Sequence, residues 1–158
     1  MQRLAGRDGR PYADGEGADG LRRYLIAQTR YRLHQPKFAS LVIIPYENSC
    51  SVCHLRHREL LDAAHIIPDV EAEGSAVVNN GLALCKIHHA AYDANLLGIT
   101  PDCTVQIHQG LLDEIDGPML RHGLQDHHGR PLMKVPGRRG DRPDPERLAE
   151  RFRRFRSA

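Results

Sequence analysis

The distribution of apolar and polar positions divides the chain into a short segment without a pattern and a longer patterned one. Residues 1–19 are rich in glycine, aspartate and arginine and show almost no apolar periodicity. That composition is typical of a flexible leader, or of a linker within a larger modular protein. The sequence therefore predicts a folded domain over residues 20–158, about the length of one ordinary domain.

Two helices are predicted at the start of this domain. Apolar residues at helical spacing predict a helix from Gly20 to about His34, with a basic opposite side. A proline at position 36 suits the first turn of a second helix, which would extend over residues 36–44. Its core-facing residues would be Phe38, Leu41 and Val42. Because another proline follows at position 45, a short strand over the LVII sequence is the alternative.

The centre of the chain is predicted to run strand, loop, short strand, helix. Glu59–Ile67 is apolar with strand character and ends at a proline. An NNG turn signal precedes a second short strand around Leu82–Leu84, and Ile87–Leu96 has a helical pattern. Further on we expect a strand over Thr104–His108, a helical turn over Leu111–Ile115 and a Gly/Pro/His-rich connection over Gly117–Gly140.

The last predicted element is a basic amphipathic helix. Asp144 is a candidate N-cap, and Pro145 suits the first helical position. The apolar stripe of this helix would consist of Leu148, Phe152 and Phe155. Residues 130–156 hold ten Lys/Arg against four Asp/Glu, although the net charge of the whole chain is only +2. This local excess of positive charge favours a polyanionic partner.

Composition excludes some classes of protein. No run reaches the roughly 18 apolar residues that a membrane span needs, and the basic N-terminus lacks the apolar region of a secretory signal. Two of the four cysteines form a CxxC, and a third has the same spacing to a histidine. This pattern favours a metal site over disulfides, and with it a reducing, cytoplasmic compartment.

Two pairs of metal-capable residues delimit the central region. They are Cys50 with Cys53, and Cys85 with His88. Zinc takes four such ligands in a tetrahedron, and each pair can present two of them from one tight turn. Because all four ligands come from the protein, the site would be closed and therefore structural, and it would add folding energy to a small core.

A second, open set of residues lies between and beside these pairs. His65 follows the strand-like run, and a histidine can take a proton from water near neutral pH. His89 directly follows the predicted zinc ligand, and Asp93 lies four residues further on the same helical face. A histidine with a carboxylate suits a divalent ion such as Mg²⁺ or Mn²⁺.

The sequences AHIIP around His65 and NGLALC from Asn80, followed by His89, resemble those of HNH endonucleases of the zinc-stapled ββα-metal (His-Me finger) class. The resemblance implies an α+β fold with a motif core at residues 50–97 and flanking N- and C-terminal helices. It implies that His65 is the general base, that Asn80 orients the active-site loop or helps to hold the base, and that His89 binds the catalytic ion. Many relatives carry an Asp or His ligand where this chain has Ala64. We expect Asp93 to supply the missing oxygen ligand, with Asp62 as the alternative.

The expected function is metal-dependent hydrolysis of double-stranded DNA, of the bacterial restriction type. Arg147, Arg151 and Arg154 are candidate phosphate contacts. The alternatives are a non-catalytic, zinc-stabilised DNA-binding module and a nuclease toxin or effector domain. Cutting of both strands would favour a homodimer or two sequential nicks.

Overall fold

The computed structural model describes residues 20–23, 25, 36–68, 71, 74–115 and 117–158. The chain divides into two units, Met1–Gln35 and Pro36–Ala158. Residues 20–23 and 25 are helical, at the start of the first predicted helix. The rest of that helix and the predicted leader lie outside the described residues. No helix in the described part of the chain has the length and apolar character required to cross a membrane.

A ββα unit forms the centre of the second unit, as the sequence predicted. Strand β1 (Leu61–His65) pairs antiparallel with strand β2 (Gly81–Cys85), so that His65 lies opposite Gly81. Helix α2 (Lys86–Asp93) follows β2 without a loop and packs against both strands. Every residue of β2 is buried. In β1, Asp62 and His65 are only partly buried and the other three residues are buried. The α+β fold of the ββα-metal class is confirmed.

Residues 36–43 form a helix, here α1, and not the alternative strand. Phe38 and Val42 are buried, as predicted. The prediction for Leu41 is wrong, since half of this residue is exposed and Ile43 is buried in its place. Helix α1 packs directly on the start of β2 at Gly81. A Cβ atom at this position would lie only 2.3 Å from Val42 Cγ2. Only glycine permits this close approach.

A second antiparallel hairpin of β3 (Leu97–Ile99) and β4 (Val105–Ile107) follows the ββα unit. The sequence predicted β4 but not β3. Helix α2 ends before the predicted Leu96 because Asn95 has a φ of 56°, the left-handed conformation that commonly terminates helices. The remaining short helices are α3 (Gln109–Leu112) and α4 (Pro118–Gly123), the latter within the predicted connection.

The C-terminal helix α5 (Pro145–Arg156) begins where the sequence predicted. The Asp144 side chain accepts hydrogen bonds from the backbone N–H groups of Glu146 and Arg147. Leu148 is fully buried, and Phe155 packs over Gly98 of β3. Helix α5 therefore covers the second hairpin and completes the core.

Candidate active site and metal centre

The four predicted zinc ligands converge at one point. The ligand atoms of Cys50, Cys53, Cys85 and His88 all lie within 4.8 Å of one another. His88 Nδ1 is 3.4 Å from Cys50 Sγ and 3.2 Å from Cys85 Sγ. In a tetrahedral zinc site, bonds of about 2.3 Å to sulfur and about 2.0 Å to nitrogen place these atoms about 3.5 Å apart. The donor set and its spacing therefore fit a four-coordinate metal ion.

The electrostatics of the cluster also favour a cation. Hydrogen bonds with Cys50 and Cys53 lower the pKa of the Cys85 thiol, whereas hydrogen bonds with Cys50 and Cys85 raise that of Cys53. Burial opposes the charge on His88, but hydrogen bonds to the Cys50 and Cys85 sulfurs outweigh it and raise its pKa to about 10. Three sulfurs this close cannot all carry charge unless a positive group lies among them.

His88 receives its orientation from outside the motif. Its Nε2 lies 2.6 Å from the carbonyl oxygen of Gly123, at the end of α4. With Nε2 donating to that carbonyl, the Nδ1 lone pair faces the sulfurs, as a metal ligand requires. Gly123 was not predicted to contact the metal site, because residues 117–140 have the composition of a connection. The Gly-Pro pair at positions 117–118 is the sequence signal for this short helix.

The His89 imidazole lies between two carboxylates, one at each ring nitrogen. Nδ1 is 3.3 Å from Asp62 Oδ2 on β1, and Nε2 is 3.2 Å from Asp93 Oδ2 on α2. The hydrogen bond to Asp93 and, less strongly, that to Asp62 raise the pKa of His89, despite its burial. The structure thus brings His89 together with both candidate oxygen ligands, one from the strand and one from the helix.

Asp62 has a second cationic neighbour. Lys86 Nζ lies 3.0 Å from Asp62 Oδ1. Partial burial opposes ionisation of Asp62, but hydrogen bonds from Lys86 and His89 outweigh it and hold the carboxyl pKa below its ordinary value. The Asp62 carboxylate is therefore ionised, and its two oxygens face Lys86 and His89. Lys86 was not singled out in the sequence.

Asn80 is fully buried and ties together the loop between β1 and β2. Its Oδ1 accepts from the backbone N–H of Ile67, and its Nδ2 donates to the carbonyl oxygens of Ile67 and Ser75. Its own carbonyl accepts from the N–H of Ile66. These bonds hold the two residues that follow His65, so Asn80 orders the start of the loop after β1.

His65 is the last residue of β1 and is half-buried. Its imidazole stacks on the Phe38 ring of α1, with centroids 3.8 Å apart and ring planes 6° from parallel. Phe38 was predicted to face the core, but its contact with His65 was not predicted. Helix α1 precedes the motif by several residues, and no local pattern indicates which side chain its aromatic ring meets.

The three candidate DNA-binding arginines have different surroundings. Arg151 is buried and donates to the Tyr92 carbonyl and the Asn95 side chain, so its guanidinium is engaged within the fold. Arg154 makes two hydrogen bonds to Glu71, of 2.7 and 2.8 Å, and a third to Glu150. Arg147 donates to the Ser75 hydroxyl. All three arginine side chains therefore make hydrogen bonds within the protein.

Comparisons with known proteins agree with this arrangement. A family model described as HNH endonuclease matches residues 50–100. Among solved structures, the chain is similar to a modification-dependent TagI restriction endonuclease, with a TM-score of 0.54 and 18% sequence identity. That match covers 75% of this chain and 37% of the other chain, and at this level of identity it shows a shared fold. A search of curated proteins finds no match.

Proposed function

We propose that this chain, whose residues 50–100 match the family model for HNH endonucleases, is a metal-dependent endonuclease that hydrolyses the phosphodiester bonds of DNA. One observation carries the proposal. On the ββα scaffold, a histidine at the end of β1 is combined with a helix histidine, His89, whose ring lies against two carboxylates. A histidine base and a divalent-ion site are the two parts that this hydrolysis needs.

In the proposed reaction, His65 takes the proton of a water molecule whose oxygen attacks the phosphorus. The bond from phosphorus to the 3′ oxygen breaks, which leaves a 5′-phosphate and a 3′-hydroxyl end. A divalent ion such as Mg²⁺ or Mn²⁺ would supply positive charge to the phosphate and to the leaving oxygen. Asn80 keeps the loop after His65 in place through its bonds to Ile67.

We assign Asp62, rather than Asp93, as the oxygen ligand that accompanies His89. One imidazole nitrogen can bind an ion while the other donates to a carboxylate that orients the ring. Nδ1 faces Asp62, which shares strand β1 with His65, whereas Nε2 faces Asp93 on the helix. Asp62 points to the same strand face as Ala64 and would replace the ligand missing there.

For the Cys50, Cys53, Cys85 and His88 cluster, we propose a structural zinc ion. Four protein ligands leave no open position for a substrate or a catalytic water. Its role would be to fix the start of α2, where His89 directly follows the ligand His88. The sulfur-rich cluster and the oxygen-rich site at His89 would therefore hold different metals.

The proposed substrate is double-stranded DNA, and the proposed setting is cytoplasmic restriction or defence. The structural neighbour is named as modification dependent, so modified DNA is the first substrate to compare with unmodified DNA. A larger modular nuclease and a homodimer that cuts both strands are further parts of the proposal.

The test is plasmid nicking with Mg²⁺ or Mn²⁺ by the wild type and His65→Ala, on modified and unmodified DNA. We expect cutting by the wild type only. Equal cutting by both proteins would reject the assignment of the base. Binding of DNA without cutting, at any tested metal concentration, would instead favour a non-catalytic module.

The ligand assignment needs a different readout, because loss of either carboxylate is expected to weaken metal binding. We expect Asp62→Cys to change metal preference from Mg²⁺ towards the softer Cd²⁺ or Mn²⁺, since a thiolate is a soft ligand. Asp93→Cys should not show this change. Asp126→Cys is a matched control, because Asp126 pairs with His122 at the same i, i+4 spacing on an exposed surface. A change of preference in the Asp93 variant alone would transfer the role to Asp93.

A further inference from the structure

The ring of His65 is held by a residue that lies outside the matched HNH segment. We propose that Phe38 is a positioning residue, which fixes the plane of the His65 imidazole for proton transfer. The inference rests on the proposed role of His65 as general base. The contact that carries it is the face-to-face stack of the two rings, 3.8 Å apart and 6° from parallel.

Strand pairing alone does not orient this imidazole. The register of β1 with β2 fixes the backbone of His65 opposite Gly81. The side-chain torsions χ1 and χ2 remain to be fixed, and histidine adopts a broad range of χ2 angles. A flat aromatic surface at van der Waals distance prevents the imidazole from turning about that torsion, because a turned ring would collide with Phe38. The stack also covers one face of the imidazole.

Phe38 can perform this role because it is itself immobile. It is 2% exposed, and its Cζ lies 3.1 Å from the position of a Cβ at Gly81. Val42, one turn later, packs on the same glycine. The Tyr46 hydroxyl donates to the Gly81 carbonyl across 3.2 Å. Helix α1 is therefore attached to β2 directly opposite His65, and it presents a rigid aromatic wall to the imidazole.

A general base must lie within hydrogen-bond reach of the proton it removes. A displacement of about 1 Å can reduce the rate by roughly 100-fold. Rotation of the imidazole would move its edge nitrogens by a comparable distance. A loss of the stack is thus expected to reduce kcat and to leave DNA binding unchanged.

The test compares Phe38→Leu with Val42→Ala, both in the complete protein. Leucine retains apolar volume without a flat face. The Val42 variant disturbs the same interface between α1 and β2 but leaves the aromatic face of Phe38 in place. We expect Phe38→Leu to lower kcat by about 10- to 100-fold, with the KM for DNA within about twofold of the wild type. Val42→Ala should retain kcat. Phe38→Met serves as a second variant without an aromatic face if the leucine protein is unstable.

An NMR measurement reports on the stack without reference to activity. Ring protons of His65 should be displaced upfield by Phe38 in the wild type and in Val42→Ala, but not in Phe38→Leu. A folded Phe38 variant with the kcat of Val42→Ala would overturn the inference, as would unshifted His65 signals in the wild type. Failure of the proposed function is distinct, because it would appear as full activity in His65→Ala.

Discussion

Replacement of Arg151 by methionine tests whether the arginines of α5 serve the fold or the substrate. Arg151 Nη1 donates to Asn95 Oδ1 at 2.5 Å, and Nη2 donates to the Tyr92 carbonyl. The guanidinium carbon also lies 4.5 Å from the centre of the Tyr92 ring. Methionine retains much of the apolar stem but removes all three interactions.

The expected loss follows from these contacts. Hydrogen bonds that involve a charged group contribute about 1.5–3 kcal/mol each, and a cation over an aromatic ring contributes about 0.5–2 kcal/mol. Such contributions are not additive within one network. We therefore expect Arg151→Met to lower the free energy of unfolding by about 3 kcal/mol, which corresponds to a decrease in Tm of about 10 °C.

The assay is urea unfolding with Arg153→Met as the control. Arg153 lies on the same helix, but its side chain is 74% exposed and its ion-pair partner is Glu150. Exposed pairs contribute little, so that variant should remain within about 0.5 kcal/mol of the wild type. The reasoning would be refuted if both variants unfolded together while Arg151→Met bound DNA with a smaller salt dependence.

Three further changes test the metal centre, the packing and the charge of the fold. Removal of a metal ion from the Cys3His cluster by a chelator should lower the free energy of unfolding by more than about 4 kcal/mol. Addition of zinc should restore the original stability. Unchanged urea unfolding after chelation would argue against a structural ion. Gly98→Ala should lower the free energy of unfolding by about 1–3 kcal/mol, because the new Cβ would lie 2.5 Å from Phe155 Cδ1. A Cβ at Gly137 would have no neighbour within 4 Å, so Gly137→Ala should leave stability nearly unchanged. Hydrogen bonds from Arg154 lower the pKa of Glu71, so their stabilising effect should be present above about pH 4.3 and be lost as the pH falls through the lower folded value. The stability difference between wild type and Glu71→Gln should accordingly be present at neutral pH and close in acid.

Local spacing made the central features of this protein predictable. Ligands that come in pairs from tight turns must converge when one metal ion is shared, so the Cys3His cluster could be predicted from residue positions alone. The strand–helix order between Cys50 and Asp93 followed from periodicity, and the start of α5 followed from its cap at Asp144. In each case the physical cause acts over a few residues, which a sequence displays directly.

The features that the sequence did not reveal depend on contacts between distant segments. Arg151 looks like its basic neighbours, and its burial is decided by Tyr92 and Asn95, more than fifty residues earlier. The sequence offered Asp93 and Asp62 as alternative partners of His89. That each of them lies at a different ring nitrogen of His89 depends on how α2 packs on β1, which the sequence does not state.

The position of α5 over β3 has a consequence for protein synthesis. Residues 50–100 contain the HNH segment, but the buried faces of Tyr92 and of the second hairpin are completed by Leu148, Arg151 and Phe155. At about 5–20 residues per second, a ribosome needs several seconds to make the chain between these segments. During this interval the nascent HNH segment exposes apolar surface and lacks the helix that completes its core. Completion of the core would then wait for the synthesis of α5.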